Sequence, residues 1–238
     1  MSGFSVDGQI PLALSLPELP GFDQFVVGDN LKVVQILGSI CKGSKHACIY
    51  LWGPAGCGIS HLLQATCLQA DNYGRKVSYL PLCVHTDLKP EILENYDNMD
   101  IVCIDDVELI AGKPEWEQAL LHLYNRIRDA GKNMIFGSHV NPQVISVNLQ
   151  DLKSRLSWDL VFHIELLGDM DKIEVLKRRA NMRGFKLPHE VAEYIVRHAN
   201  RELPSLLTML DVLEKATLTR QKKLTIPFVK SVLFEVES

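Results

Sequence analysis

No stretch of the 238 residues approaches the ~20 consecutive apolar positions a helix needs to cross a membrane. The N-terminus has no basic region followed by an apolar stretch, so a cleaved secretory signal is not expected. None of the six cysteines (Cys41, Cys48, Cys57, Cys67, Cys83, Cys103) stands in a Cys-x-x-Cys pair, which removes zinc ribbons and redox dithiols. Several lie in apolar runs, where a thiol packs as a small hydrophobe, and a reducing, cytoplasmic compartment is expected. The eight histidines show no His-Glu-x-x-His spacing, and no Ser-His-Asp or reactive-cysteine arrangement gains support. Metallohydrolase and covalent chemistry are set aside. Internal repeats and low-complexity tracts are also lacking.

What remains is ordinary globular material, 47% apolar and 23% charged. A chain of this length buries roughly 70–75% of its unfolded surface, so a sizeable core is available. Charge is unevenly placed. Through Gly168 there are 12 basic and 19 acidic residues; from Asp169 onward there are 13 and 10. An acidic body argues against an extended nucleic-acid surface, and any contact with DNA is expected to be indirect.

Residues 1–21 carry three prolines and no regular period, and read as an extended leader. From residue 30 helical and strand patterns alternate. Helices are expected over 30–41, 60–73, 89–96, 115–130 and 149–156, and buried strands over 47–52, 77–80, 101–104, 133–137 and 161–166. The alternation, with apolar strands, predicts an α/β fold whose central parallel sheet is covered on both faces. After Gly168 the strands stop. Helical periods occupy 169–183, 188–199 and 202–220, with a possible fourth helix from Pro227. In the third, Leu203, Leu206, Leu207, Leu210 and Leu213 share one face. The expected division is a leader (1–21), an α/β domain (22–167) and a small all-α domain (168–238).

Two motifs carry chemistry. Gly53-Pro-Ala-Gly-Cys-Gly-Ile-Ser60 follows a strand and opens a helix. Its glycines let the backbone curl so that N–H groups point at phosphate oxygens, and the following helix adds its positive end. Ser60 can hold Mg²⁺, but Ile59 stands where the phosphate-loop pattern has lysine. The segment also fits an ordinary glycine-rich turn. The second motif, Ile101-Val-Cys-Ile-Asp105-Asp106, delivers two carboxylates to the sheet's C-terminal edge, where open α/β folds bind ligands. Asp105 would orient Mg²⁺, and Asp106 would be the candidate base for an attacking water. Solvated acids at a strand end are the simpler alternative, and the two motifs together favour phosphate binding.

Phe22-Asp-Gln-Phe-Val-Val-Gly-Asp-Asn30 resembles the adenine-side entry segment of DnaA-type AAA+ initiators. The glycine loop, the Ile-Asp-Asp-Val-Glu108 strand end, Leu-Lys-Ser-Arg155 with Trp158, and Asn-Arg-Glu-Leu203 follow in that family's order. Gln9-Ile-Pro-Leu-Ala-Leu14 resembles peptides that dock on the bacterial sliding clamp. Together these features are similar to the Hda family of DnaA-related regulators, which promote hydrolysis of DnaA-bound ATP while held on DNA-loaded clamps. The resemblance implies an AAA+ P-loop domain with a helical lid, and DnaA and the clamp as partners, with self-association possible.

It further implies that Gly53, Pro54, Ala55, Gly56, Cys57, Gly58, Ile59, Ser60 and His61 line an adenine nucleotide. Phe25, Val26 and Val27 would lie near the base, and Arg201 would reach the nucleotide from the lid. Ser60 and Asp105 would serve Mg²⁺, Arg155 would act in trans as an arginine finger, and Gln9, Ile10, Leu12 and Leu14 would bind the clamp. Ile59, and His139 where the family usually has an acidic sensor, imply weak or no autonomous ATPase and a preference for ADP over ATP. A helicase-loader-like ATPase is the alternative reading. A small P-loop kinase is made improbable by Ile59.

Overall fold

The computed structural model describes residues 21–43, 46–96, 98–220 and 223–236; the expected clamp peptide Gln9, Ile10, Leu12 and Leu14 lies outside the described residues. Five strands, β1 (Cys48–Trp52), β2 (Val77–Pro81), β3 (Ile101–Asp105), β4 (Asn133–Ser138) and β5 (Leu160–His163), form one parallel sheet. Their order is β2-β3-β4-β1-β5. Helices α1 (Leu31–Cys41) and α2 (Ile59–Asn72) cover one face, and α3 (Pro114–Asp129) and α4 (Gln150–Leu156) the other.

Strand alternation sets these layers. In β3, Ile101 and Cys103 join Leu37, Ile40, Leu62 and Leu63, while Val102 and Ile104 join Leu120, Leu123 and Phe136. Buried on both faces, β3 must read as a continuous apolar run, and it does. The expectation of full cover fails at β5. It is an edge strand in which alternate residues, Val161 and His163 on one face, are exposed, so that face is left partly uncovered there among the described residues.

Other expectations also shift. The helix expected over 89–96 is a 3₁₀ turn (Pro90–Tyr96), and 3₁₀ turns at Leu82–Asp87 and Val107–Ile110 were not anticipated; such short pieces leave little period to read. The helical part comprises α5 (Asp169–Met182), α6 (His189–His198), α7 (Leu203–Arg220) and α8 (Ile226–Val236) around its own core of Ile173, Leu176, Ile195, Leu206, Leu210, Leu213 and Val229. Pro188 flanks α6 rather than opening it. Arg201 precedes α7, which starts one residue later than the expected 202: Asn200 Oδ1 accepts the Glu202 N–H (3.1 Å) in a turn just before the helix. Among the described residues no helix is long and apolar enough to cross a membrane.

Candidate nucleotide site

The sheet order reverses direction at β1, and ligands in open α/β sheets bind beyond the strand ends at such a point. Trp52, the last residue of β1, is in register with Ser138 on β4 and His163 on β5. The Gly53 N–H donates to Ser138 O (3.3 Å). The loop 53–58 therefore emerges among the C-terminal ends of β3, β4 and β5.

Gly56 and Gly58 have φ of +79° and +98°, a backbone that side-chain-bearing residues seldom adopt. A Cβ on Gly56 would fall 2.8 Å from Pro204 Cδ, and one on Gly58 2.9 Å from Phe25 Cε2. The loop is thus wedged between the segment before α1 and the start of α7. Gly58 caps α2, so the free N–H groups and positive end of a 14-residue helix open toward the loop.

Beside the loop lies a cavity of about 230 Å³ between the α/β and helical parts. Phe25, Val26, Cys57, Gly58 and His61, all among the residues singled out in the sequence, line it. Val27 is half-buried and is not among the lining residues. Gly53 is buried, Pro54 and Ala55 are exposed, and Ser60 sits exposed on the first turn of α2. Burial raises the Cys57 thiol above its ordinary pKa and lowers that of His61, whose Nε2–H donates to Gly21 O (3.1 Å). Arg201 is exposed and does not line the cavity.

Ile59 is only 3% exposed and belongs to the apolar layer under α2. Its Cγ2 lies 2.6 Å from where a Gly137 Cβ would stand, so the side chain turns into the core. Asp105, 3% exposed, accepts Tyr79 OH (2.9 Å) and the Asp106 N–H (3.1 Å). Asp106 is the one non-glycine with positive φ among the described residues (+58°). Burial, then the Asp105 and Glu108 carboxylates, raise its pKa, with His139 opposing.

The sequence reading missed part of the lining: Gln24, Gln64, Leu167, Arg178, Arg179 and Leu207. Among the described residues Gln24 Oε1 is buried and meets no hydrogen-bond partner, which suits an amide that a polar ligand group could satisfy. Gln24 lies within the entry segment already singled out, and the Arg178-Arg179 doublet is a further signal the sequence offered. The oxygen donors Ser60 and Asp105 suit the hard cation Mg²⁺, and the glycine loop with the α2 N-terminus suits phosphate. A larger open groove of about 450 Å³, lined by Glu91, His122 and Arg126 among others, lies elsewhere, between residues 90–94 and α3.

Arg155 is not in this site. Its guanidinium lies 6.0 Å from the Tyr124 ring centroid, and the residue lines a small cavity with Cys48, Ile49 and Tyr50 from the first part of β1, whereas the loop follows the end of that strand.

The family model of the bacterial DnaA ATPase domain matches residues 16–163, and that of the lid domain of Hda matches residues 169–233. Domain III of the replication initiation protein DnaA from Thermotoga maritima is similar at a TM-score of 0.79 and 23% identity, over 90% of this chain and 95% of that one. AMPPCP-bound DnaA from Aquifex aeolicus reaches 0.70 at 21% identity, over 84% and 66%. The Thermotoga maritima RuvB Holliday junction branch migration motor reaches 0.70 at 13%, over 90% and 71%. At these identities the structural likeness establishes the fold.

Proposed function

The chain belongs to the bacterial DnaA ATPase-domain family, and we propose that it is a nucleotide-holding regulator of replication initiation. Held on the sliding clamp, it promotes hydrolysis of ATP bound by DnaA. The proposed division of labour is a leader (1–21) carrying the clamp peptide, an AAA+ domain (22–167) and a lid (168–238).

In its own site the chain holds an adenine nucleotide, ADP in preference to ATP. Residues Gly53–Ser60 cradle phosphate, Phe25 and Val26 with His61 flank the base, and Arg201, which lies outside the cavity lining, turns in from the lid side when the nucleotide binds. Ser60 and Asp105 would hold Mg²⁺. When bound, the nucleotide supplies charge that the loop, α2 and the lid share. Three carboxylates (Asp105, Asp106, Glu108) gather at this edge while Ile59 offers no ammonium, so a phosphate group of lower charge is the better guest. For the same reason turnover in this site is weak, although Asp106 stands where a water-activating base belongs.

The observation that carries the in-trans reading is the position of Arg155 at the far end of β1 from its own loop. A guanidinium there addresses a neighbour's bound nucleotide, where it stabilises charge developing on the transferring phosphoryl group. The test is hydrolysis of DnaA-bound ATP on clamp-loaded DNA, with and without the chain. Acceleration that requires both chain and clamp is expected. Equal rates with and without the chain would overturn the reading.

A further inference from the structure

We propose that Asp106, Glu108 and His139 form a binding site for a divalent transition-metal ion of the zinc type. The proposal concerns side chains of this chain only; it shares Asp106 and Glu108 with the edge of the proposed nucleotide site, and its test is read without nucleotide. Each of the three residues offers a ligand atom, and these atoms all lie within 4.8 Å of one another. A tetrahedral ion with bonds of ~2.0–2.2 Å holds its donors roughly 3.3–3.6 Å apart, so small side-chain rotations close the set. Asp106 and Glu108 come from the turn after β3, and His139 follows β4 directly. The parallel pairing of β3 with β4 brings the two segments together.

The set is oriented before any ion arrives. Glu108 Oε2 accepts the Ser138 hydroxyl (2.7 Å) and its Oε1 accepts the His139 N–H (3.1 Å), which leaves lone pairs on both oxygens. An independent contact fixes the imidazole. His139 Nδ1 lies 3.0 Å from Gly53 O, outside the cluster, and a carbonyl only accepts, so the proton is on Nδ1 and the lone pair on Nε2. A ligand histidine that donates its other ring N–H to a backbone carbonyl is the arrangement metal sites use to hold tautomer and direction. The exposed Cys83 thiol stands near the Asp106 carboxylate, which places a soft donor at the rim.

This donor set differs from the one suited to magnesium. Mg²⁺ takes oxygen ligands and suits Ser60 with Asp105, whereas imidazole with carboxylates, and a thiol nearby, selects zinc, cobalt or nickel. Because His139 is hydrogen-bonded to the glycine loop through Gly53 O, an ion here would also steady the loop's first carbonyl.

The test uses the full chain freed of metal by a chelator and titrated with Zn²⁺ by calorimetry, and with Co²⁺ by absorption. One ion per chain is expected, with cobalt showing the intense visible bands of low coordination. His139→Ala and Glu108→Gln should each weaken binding by about tenfold or more. Cys83→Ser should leave the stoichiometry at one. His139 is exposed, so its replacement removes no core packing and carries the test if Glu108→Gln fails to fold. Stoichiometric uptake that neither variant weakens would place the ion on other side chains and overturn the proposal. So would the absence of uptake, or displacement of Zn²⁺ by an equal concentration of Mg²⁺.

Discussion

Gly56 of the glycine loop and Pro204 of α7 meet so closely that a Cβ on Gly56 would lie 2.8 Å from Pro204 Cδ. One backbone position thus joins the phosphate loop to the helical part, and its φ of +79° adds a second reason for glycine. Gly56→Ala should lower stability by about 1–3 kcal/mol, from strain and overpacking together. Pro204→Ala in that background should recover the steric part only. A double-mutant cycle by thermal or denaturant unfolding checks this. Coupling below ~0.5 kcal/mol would mean the helical part yields freely at this contact.

Arg155→Ala should abolish stimulated hydrolysis by DnaA, up to the ~10³–10⁵ in rate that such arginines supply elsewhere. Folding should change little, since the lost contact with Tyr124 is one long cation–π pair at 6.0 Å from a partly exposed guanidinium, worth about 0.5–1 kcal/mol. Arg155→Lys should rescue poorly, because an ammonium lacks the planar fork that addresses phosphate oxygens. Single-turnover hydrolysis beside melting curves separates the two effects, and full activity of the Ala variant would remove the in-trans role.

Ile59→Lys should raise affinity for a triphosphate while lowering stability by about 0.5–3 kcal/mol. The new ammonium must leave an apolar layer in which Ile59 is 3% exposed. Nucleotide titration and unfolding measured on the same preparation read both signs. Wild-type turnover well below ~1 s⁻¹ is expected beforehand. An unchanged triphosphate affinity would mean that the loop does not meet phosphate as proposed.

His61 contributes to acid sensitivity. Burial lowers its pKa in the folded chain, so below the ordinary histidine value of 6.5 the unfolded chain binds the proton more readily. Stability therefore falls as pH drops through that value, with a slope of at most ~1.4 kcal/mol per pH unit from this group. His61→Gln keeps an N–H donor toward Gly21 O and should flatten the decline between pH 7 and 5. Parallel curves for wild type and variant would exclude this contribution.

Leu12→Ala combined with Leu14→Ala should abolish clamp binding. In an extended peptide Ile10, Leu12 and Leu14 project to one side, and anchors of this kind concentrate affinity in few side chains. Calorimetric titration of the clamp measures it, with nucleotide retention by the doubly substituted chain as the control. Equal binding by both chains would strip the leader of this role and favour the helicase-loader reading.

Local pattern made the α/β alternation, the helical run after Gly168, the glycine loop and the Asp105-Asp106 strand end readable from the sequence alone. Each is dictated by neighbours in the chain: buried strands need unbroken apolar runs, and a loop at positive φ needs glycine. Other features were settled only in three dimensions. Pairing order made β5 an edge strand, and α7 starts only after the Asn200 turn. Packing turned Ile59 into the core above Gly137, gathered Gln24, His61, Arg178 and Leu207 around one cavity, and set Arg155 at the opposite end of β1 from the loop. Glu108 and His139, 31 residues apart, meet because β3 and β4 run side by side and end together. Periodicity records which face of an element is apolar; it carries no information on which other element that face will meet.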